Sequence, residues 1–212
     1  MNQILEVNKN INHIKKKLSF YKKIFFLFLF TTILLNIYLF TKIDDFIEKE
    51  KLSKILLDNY NLSNLYNNTN KEKDYKADLQ NFNNLNEVFC IIKIPKINIE
   101  YPVLNIVSTN NLKISPIKFS GKNLGENSNI CIAGHNYNNS LFFSDINKLN
   151  LGDKIHLYNN YNNILIYIVY DIYEVNINNL SPIKDQNEFK ELTLITCNNF
   201  NNKRIIVKAK IL

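Results

Sequence analysis

A thiol and a guanidinium stand close together near the end of the chain. Among 26 basic residues a single one is arginine, Arg204, and it follows Cys197 by seven positions. Arginine is permanently charged and planar, and its fork of donors can hold an oxyanion or a peptide carbonyl. Cys197 ends one apolar run and Arg204 opens the next, so we expect a nucleophile and an electrostatic partner on adjacent strands. Composition bias with chance spacing is the alternative explanation.

A histidine completes a possible reactive set. His135 follows the apolar run Ile130–Ala133 and Gly134, where a strand enters a loop, and loops at strand ends often carry catalytic groups. A thiol attacks an amide carbonyl as the thiolate, and a nearby histidine can protonate the departing amine. A fixed guanidinium can stabilise the negative charge of the tetrahedral intermediate. Taken singly, the three residues could be a core thiol, a turn histidine and a surface charge.

The remaining motifs indicate no metal or nucleotide chemistry. Cys90 and Cys131 lie within apolar runs and are predicted to be core residues, and with three cysteines at least one thiol should be free. The sequence has no CxxC pair, HExxH motif or glycine-rich phosphate loop. We therefore predict neither a metal nor another cofactor. The excess of Asn, Ile and Lys is attributed to base composition rather than to function.

The positive charge is concentrated at the amino terminus. Residues 1–23 hold six lysines and one glutamate, whereas residues 24–212 hold 20 basic and 18 acidic groups. This distribution argues against a nucleic-acid-binding face. Residues 24–41 contain no charged side chain, and 18 helical residues rise about 27 Å, close to the thickness of a bilayer core.

These features predict a single-pass membrane protein with four segments. The lysines before the apolar run place residues 1–23 in the cytoplasm, residues 24–41 in the membrane, and the rest outside the cell. A cleaved signal peptide is the alternative, but no small-x-small site follows the run. Residues 42–87 are predicted to be an extracellular, solvated linker or stalk with an amphipathic helix up to about Asn59. Residues 88–212 form the predicted catalytic domain.

The last segment has the pattern of an all-β domain. Short apolar runs separated by Pro, Gly, Asn and Asp predict a barrel or sandwich, and 141–149 predicts a short helix or turn. In the last strand, Arg204 lies on the face opposite Ile205, Val207, Ala209 and Ile211, where a groove could run. The predicted strands are 89–94, 101–106, 129–133, 154–158, 164–174, 192–196 and 204–211.

Residues 91–212 resemble the catalytic domain of the sortases, the membrane-anchored cysteine transpeptidases of Gram-positive bacteria. Two elements carry most of the resemblance: Thr193-Leu194-Ile195-Thr196-Cys197 with the downstream Arg204, and Ala133-Gly134-His135-Asn136. Further matching stretches are Ile94-Pro95-Lys96-Ile97, Tyr101-Pro102-Val103-Leu104, Phe142-Phe143-Ser144-Asp145 and Gly152-Asp153-Lys154-Ile155.

The resemblance implies a fold, a reaction and roles for five residues. The fold would be a closed eight-stranded β-barrel with short helices, preceded by the transmembrane helix. Cys197 would be the nucleophile, His135 the proton donor and acceptor, and Arg204 the stabiliser of the oxyanion or substrate. Thr196 and Asn136 would belong to the substrate-binding region. The absence of an Asp-Pro-aromatic lid favours a class A- or D-like member.

The implied partners are surface proteins with LPXTG-like sorting signals, cleaved between Thr and Gly. The acyl group would pass through a thioester on Cys197 to an amine of a peptidoglycan precursor or a pilin lysine. Two alternatives remain open from the residues: a membrane-tethered cysteine peptidase with water as acceptor, and a non-catalytic surface-binding barrel.

Overall fold

The computed structural model describes residues 2–67, 88–159, 164–184 and 188–212. A long helix, α1, runs over Asn2–Asn67. It continues beyond the predicted end near Asn59, so the first part of the predicted linker is helical, while 68–87 lie outside the described residues. Contacts divide the chain into two compact units, residues 1–48 and 49–212.

The apolar part of α1 presents its side chains outward. Between residues 24 and 40, the large apolar side chains are exposed to between 43% at Leu29 and 67% at Phe28. Exposed apolar surface of this extent is unfavourable in water. By length and composition, α1 contains one candidate membrane span.

Eight strands of the described chain close into a barrel. The predicted closed eight-stranded β-barrel with short helices is therefore confirmed. A short helix, α2, spans Thr109–Ile114, and single 3-10 turns occur at Pro95–Ile97, Ile146–Lys148 and Ser181–Ile183. The strands are β1 Val88–Ile94, β2 Ile99–Leu104, β3 Ile117–Ser120, β4 Ser128–Ala133, β5 Lys154–Tyr158, β6 Ile164–Asn176, β7 Lys190–Asn198 and β8 Lys203–Ile211. Around the barrel their order is β1-β2-β3-β4-β7-β8-β6-β5.

One strand was not predicted from the sequence pattern. β3 has four residues and joins β2 through a single parallel register pair, Leu104↔Ile117. So short a run offers little periodicity to detect. The strand closes the barrel between β2 and β4, and it was implied only by the family resemblance.

The barrel interior is the hydrophobic core. Fully buried side chains from β4, β7 and β8 meet there, including Ile132, Leu194 and Val207. The predicted inward face of β8 is confirmed, because Ile205, Val207 and Ala209 lie in this core. Burying each large aliphatic side chain stabilises the folded state by about 1.5–3 kcal/mol. The core therefore fixes the positions of the strand ends that carry the site.

The part of α1 after residue 48 packs on the barrel. Leu56 and Tyr60 are buried, and Leu56 belongs to a cluster with Leu104 and Ile117. The Ser53 hydroxyl lies 3.3 Å from that of Ser115. This portion of residues 42–87 therefore differs from the solvated spacer predicted from its polar composition.

Candidate active site

Two parallel strands bring separate sequence motifs to one end of the barrel. β4 and β7 pair in parallel from Ser128↔Lys190 to Ala133↔Ile195. The pairing continues beyond β4, because the Gly134 amide donates to the Ile195 carbonyl at 3.0 Å. Since both strands run in the same direction, His135 and Cys197 emerge at the same end.

Cys197 and Arg204 are direct neighbours across the β7–β8 pair. They are register partners, and paired Cα atoms in antiparallel strands lie about 4.5–5.5 Å apart. Cys197 is an exposed free thiol, whereas Arg204 is partly buried. Both side chains leave the sheet on the outward face, as the predicted alternation of β8 requires.

The residues beside the thiol and the imidazole connect their two segments. The Thr196 hydroxyl donates to the Gly134 carbonyl at 2.7 Å, and Thr196 is buried. The Asn136 side-chain amide donates to the Cys197 carbonyl at 2.9 Å. Both observed contacts hold the His135 segment against the Cys197 segment, while the substrate-binding roles expected for Thr196 and Asn136 stay predictions.

Gly134 allows a close approach that a larger residue would prevent. A Cβ atom at this position would lie 2.7 Å from both Cδ2 and Cγ of Phe143. The Phe143 ring is fully buried, so it has little room to move away. The sequence Gly134-His135 thus places the backbone before the imidazole directly against the core.

We expect Gly134→Ala to lower the free energy of unfolding by about 1–3 kcal/mol, because the new methyl group overpacks against Phe143. Urea denaturation followed by circular dichroism measures this change. Adding Phe143→Leu to Gly134→Ala should recover part of the loss by relieving the contact. Equal stability of Gly134→Ala and wild type would contradict the close packing at this position.

His135 sits in a half-buried, positively charged environment. Its ring centroid lies 5.0 Å from that of Tyr137, and the Lys49 ammonium lies 4.6 Å from the centre of the Tyr137 ring. Desolvation by burial lowers the pKa of His135 below its ordinary value, and the charges of Lys49 and Lys113 lower it further. Burial and both cations disfavour the imidazolium form.

We expect Lys49→Gln to raise the pKa of His135, because the substitution removes one of the positive charges that oppose protonation. An NMR titration of the full chain in detergent, with His135 assigned through a His135→Gln variant, measures the shift. Lys51→Gln, an exposed change on the same helix, is the control. Identical His135 titrations in all forms would show that Lys49 has no such effect.

The same shift has a defined consequence for stability. Because the folded pKa of His135 lies below the unfolded value of 6.5, the unfolded chain binds the proton more readily as pH falls. The contribution of His135 to stability is therefore present above pH 6.5 and is lost as pH falls through the folded pKa. Lys49→Gln should reduce the loss of stability on acidification. Melting temperatures measured between neutral and acidic pH would detect this difference.

An apolar groove runs along the outward face beside Cys197. Its cavity volume is about 70 Å³, and Arg204 is the charged residue in its lining. Ile195 belongs to the wall, and Cys197 occupies the next outward position of β7. The groove predicted on this face of β8 is thus present. Its other lining residues are Phe119, Ala133, Ile177, Asn179, Leu180, Pro182, Ile183 and Ile206.

A second, more polar cleft lies near the Asn136 and Asn198 side of the site. Its cavity volume is about 260 Å³, and its lining includes Glu174 and Phe200. Phe200, the apolar residue of the β7–β8 loop, is 93% exposed. The two clefts therefore reach β7 before and after Cys197, at Ile195 and at Asn198.

The other candidate residues are separate from this site. Cys90 and Cys131 are fully buried, as predicted, and burial raises the pKa of the Cys90 thiol. Among the residues that the structure describes, no group of three or more His, Cys, Asp or Glu side chains could hold a metal ion.

Sequence reasoning missed three residues that surround the site. Lys49 and Tyr137 lie next to His135 in the fold, and Asn199 contacts the His135 loop from the β7–β8 loop. Lys49 is 86 positions before His135 in the sequence, so no local spacing could signal its approach. Asn199 lies in a run of asparagines, which concealed it among residues attributed to base composition.

The fold and the grouped motifs agree with the family comparison. The Sortase domain family model matches residues 92–212. The matched region contains His135, Cys197 and Arg204 and covers more than half of the chain. The chain therefore belongs to the sortase family.

Three relatives illustrate the breadth of the similarity. Sortase A of Bacillus anthracis is 34% identical over 128 residues, which cover 57% of this chain and 58% of that protein. The chain thus spans 58% of the length of this curated relative. The structure of a Clostridium perfringens sortase D5 transpeptidase is 27% identical with a TM-score of 0.62, over 76% of this chain and 99% of the other.

Sortase C from Clostridium perfringens SM101 is also similar, with 26% identity, a TM-score of 0.53, and coverage of 81% of this chain and 98% of the other. The three relatives carry the class letters A, D and C. The comparisons therefore support the family, while the class A- or D-like assignment stays a prediction.

Proposed function

We propose that this protein is a membrane-anchored cysteine transpeptidase that joins proteins with LPXTG-like sorting signals to an amine. The observation that carries the proposal is the placement of three groups at one barrel end. Exposed Cys197 pairs with Arg204 across adjacent strands, and the segment carrying His135 is hydrogen-bonded to the strand end that carries the thiol.

The first half of the reaction forms a thioester. The Cys197 thiolate attacks the Thr carbonyl carbon of the Thr–Gly peptide bond. The resulting oxyanion is stabilised by the Arg204 guanidinium. The C–N bond then breaks, and the His135 imidazolium donates its proton to the departing amine. The acyl group remains on the sulfur, and His135 is left neutral.

The second half restores the enzyme. An incoming amine attacks the thioester carbonyl and gives its proton to the neutral imidazole of His135. The C–S bond breaks, an amide forms, and the thiolate returns. The lowered pKa of His135 favours the neutral imidazole that this step requires. The same shift reduces the fraction of imidazolium that is available to protonate the departing amine in the first step.

The apolar groove beside Arg204 is the proposed site of the sorting signal. Its walls include Ile177, Leu180 and Ile183, which suit the Leu and Pro side chains of an LPXTG-like sequence. The groove passes Ile195 towards the outward position of Cys197, which would bring the Thr–Gly bond to the thiol. The polar cleft near Asn136 and Asn198 is the proposed approach for the acceptor amine.

The candidate span in α1 is the proposed anchor. Residues 1–23 carry most of the excess positive charge, which favours a cytoplasmic amino terminus and an extracellular barrel. The proposed division of the chain is 1–23 in the cytoplasm, 24–41 in the membrane, 42–87 as the connection, and 88–212 as the catalytic domain. This orientation would place the site where surface proteins and peptidoglycan precursors or pilins meet.

A single assay separates the proposed function from its alternatives. The full chain in detergent is incubated with an LPXTG peptide carrying an amino-terminal dye, with and without triglycine, and the products are identified by mass spectrometry. A new amide to triglycine supports the transpeptidase. Cleavage to the free acid alone, at every triglycine concentration, supports a peptidase. An intact peptide and an unreactive Cys197 thiol support a non-catalytic barrel.

A further inference from the structure

The loop that joins Cys197 to Arg204 is bound to the His135 loop through Asn199. The Asn199 side-chain amide donates to the Asn136 carbonyl at 2.9 Å and to Oδ1 of Asn138 at 3.0 Å. In the opposite direction, the Asn136 amide donates to the Cys197 carbonyl at 2.9 Å. We call these three bonds the asparagine clasp. The clasp connects Asn136, which follows His135, with Cys197 and with Asn199.

The other side of the same loop is bound to β6. The Asn198 and Asn201 side-chain amides both donate to the Glu174 carboxylate, and Lys203 lies 3.7 Å from it. Hydrogen bonds from Asn201 and Asn198 lower the pKa of Glu174, so the carboxylate stays ionised as an acceptor. The loop is therefore held from two sides: Asn199 binds the His135 loop, whereas Asn198 and Asn201 bind Glu174.

Asparagine suits this position because its amide nitrogen carries two hydrogens. The two acceptors of the clasp, Asn136 O and Asn138 Oδ1, can each receive one of them. Serine offers one donor, and aspartate offers none when ionised. The bonds lie at the protein surface, where neutral hydrogen bonds contribute little to stability, so their main effect is on geometry.

We propose that Asn199 is a positioning residue that fixes the His135 imidazole relative to the Cys197 thiol. This inference rests on the proposed roles of Cys197 and His135. Catalysis by an acid–base pair depends on the placement of its members, and a displacement of 1 Å can cost about 100-fold in rate. Asn199 acts through the backbone of Asn136 and does not itself need to contact the substrate.

The test compares Asn199→Ala with Asn201→Ala in the full chain. Asn201 is the matched control, because its side-chain amide donates to Glu174 rather than to the His135 loop. We expect Asn199→Ala to lower kcat for peptide cleavage by about 10- to 100-fold with KM changed less than about twofold. We expect Asn201→Ala to retain kcat within about threefold of wild type.

A second readout needs no peptide substrate. The rate of Cys197 alkylation by iodoacetamide is followed against pH, with the modified residue located by mass spectrometry. In wild type, the titration of His135 should appear in this profile, and Asn199→Ala should weaken or shift that step. Lys49 and Lys113, whose charges face His135, are unchanged in both variants, so they cannot cause a difference between them.

Asn199→Asp is the second variant. It keeps the size of the side chain but turns carboxylate oxygens towards two acceptors, so its loss of kcat should equal or exceed that of Asn199→Ala. Wild-type kcat and pH profiles in both folded Asn199 variants would overturn the inference. So would a lowered melting temperature with an unchanged profile, which indicates a purely structural role. Failure of wild-type Cys197 to react would instead overturn the proposed function.

Discussion

Cys197→Ala is expected to reduce cleavage of an LPXTG peptide by at least about a thousandfold, because the variant lacks the atom that forms the thioester. The side chain is exposed at a strand end, so its removal leaves no cavity in the core. Folding should therefore be unchanged, and the melting temperature should stay close to that of wild type. Continuous fluorescence of a quenched peptide measures the rate.

Cys131→Ala is the matched control for the loss of a thiol. Cys131 is fully buried in β4, and its replacement removes packing rather than a reactive group. We expect lower stability with activity retained per folded molecule. Equal activity of Cys197→Ala and wild type would exclude Cys197 as the nucleophile. Loss of activity in folded Cys131→Ala, but not in Cys197→Ala, would indicate that the reaction takes place at a different site.

Arg204→Lys is expected to lower kcat by about 100- to 1,000-fold, comparable to the loss of one oxyanion donor in other enzymes. The substitution keeps the positive charge but replaces a planar fork of donors by a single ammonium. Arg204 shares the outward face with Cys197 and contributes to the apolar groove. The interaction with the developing oxyanion should therefore lose its geometry while the net charge remains. Steady-state kinetics with saturating peptide measures the effect.

The exchange Lys203→Arg with Arg204→Lys is the matched control, because it retains one arginine but moves it by one residue along β8. Successive side chains of a strand point to opposite faces, so the relocated guanidinium should not reach the groove. We expect the exchange to be as impaired as Arg204→Lys alone. Recovery of wild-type kcat in the exchange, or full activity of Arg204→Lys, would show that a charge suffices.

Much of the barrel could be predicted because its strands have clear local patterns. The predicted bounds of β5 match the observed strand, and those of β8 begin one residue late. In β8, alternation of apolar residues identified both the core face and the face of Arg204. β3 was missed, because its four residues and single register pair with β2 leave almost no periodic signal.

The composition of the site could be predicted more readily than its arrangement. Residue chemistry proposed Cys197, His135 and Arg204 as candidates, and the short interval between the cysteine and arginine predicted the neighbouring strands that the structure shows. The approach of His135 depends on the parallel pairing of β4 with β7. No local pattern specifies which strands pair when they lie about 60 residues apart, so this pairing was not predicted from the sequence.

The asparagines of the β7–β8 loop illustrate the limit of compositional reasoning. In a chain rich in Asn, the stretch Asn198–Asn202 is indistinguishable by composition from the polar segments elsewhere. The fold gives Asn199 and Asn201 different partners, the His135 loop and Glu174. These different contacts follow from strand pairing rather than from residue type.

Covalent trapping tests the central chemistry most directly. The full chain is mixed with an LPXTG peptide in the absence of an added amine, quenched in acid within the first turnover, and measured by intact-mass spectrometry with peptide mapping. We predict a mass increase equal to the acyl fragment ending at Thr, located on Cys197 and removed by hydroxylamine. Cleavage of the peptide without any adduct on Cys197, or with an adduct on another residue, would contradict the mechanism.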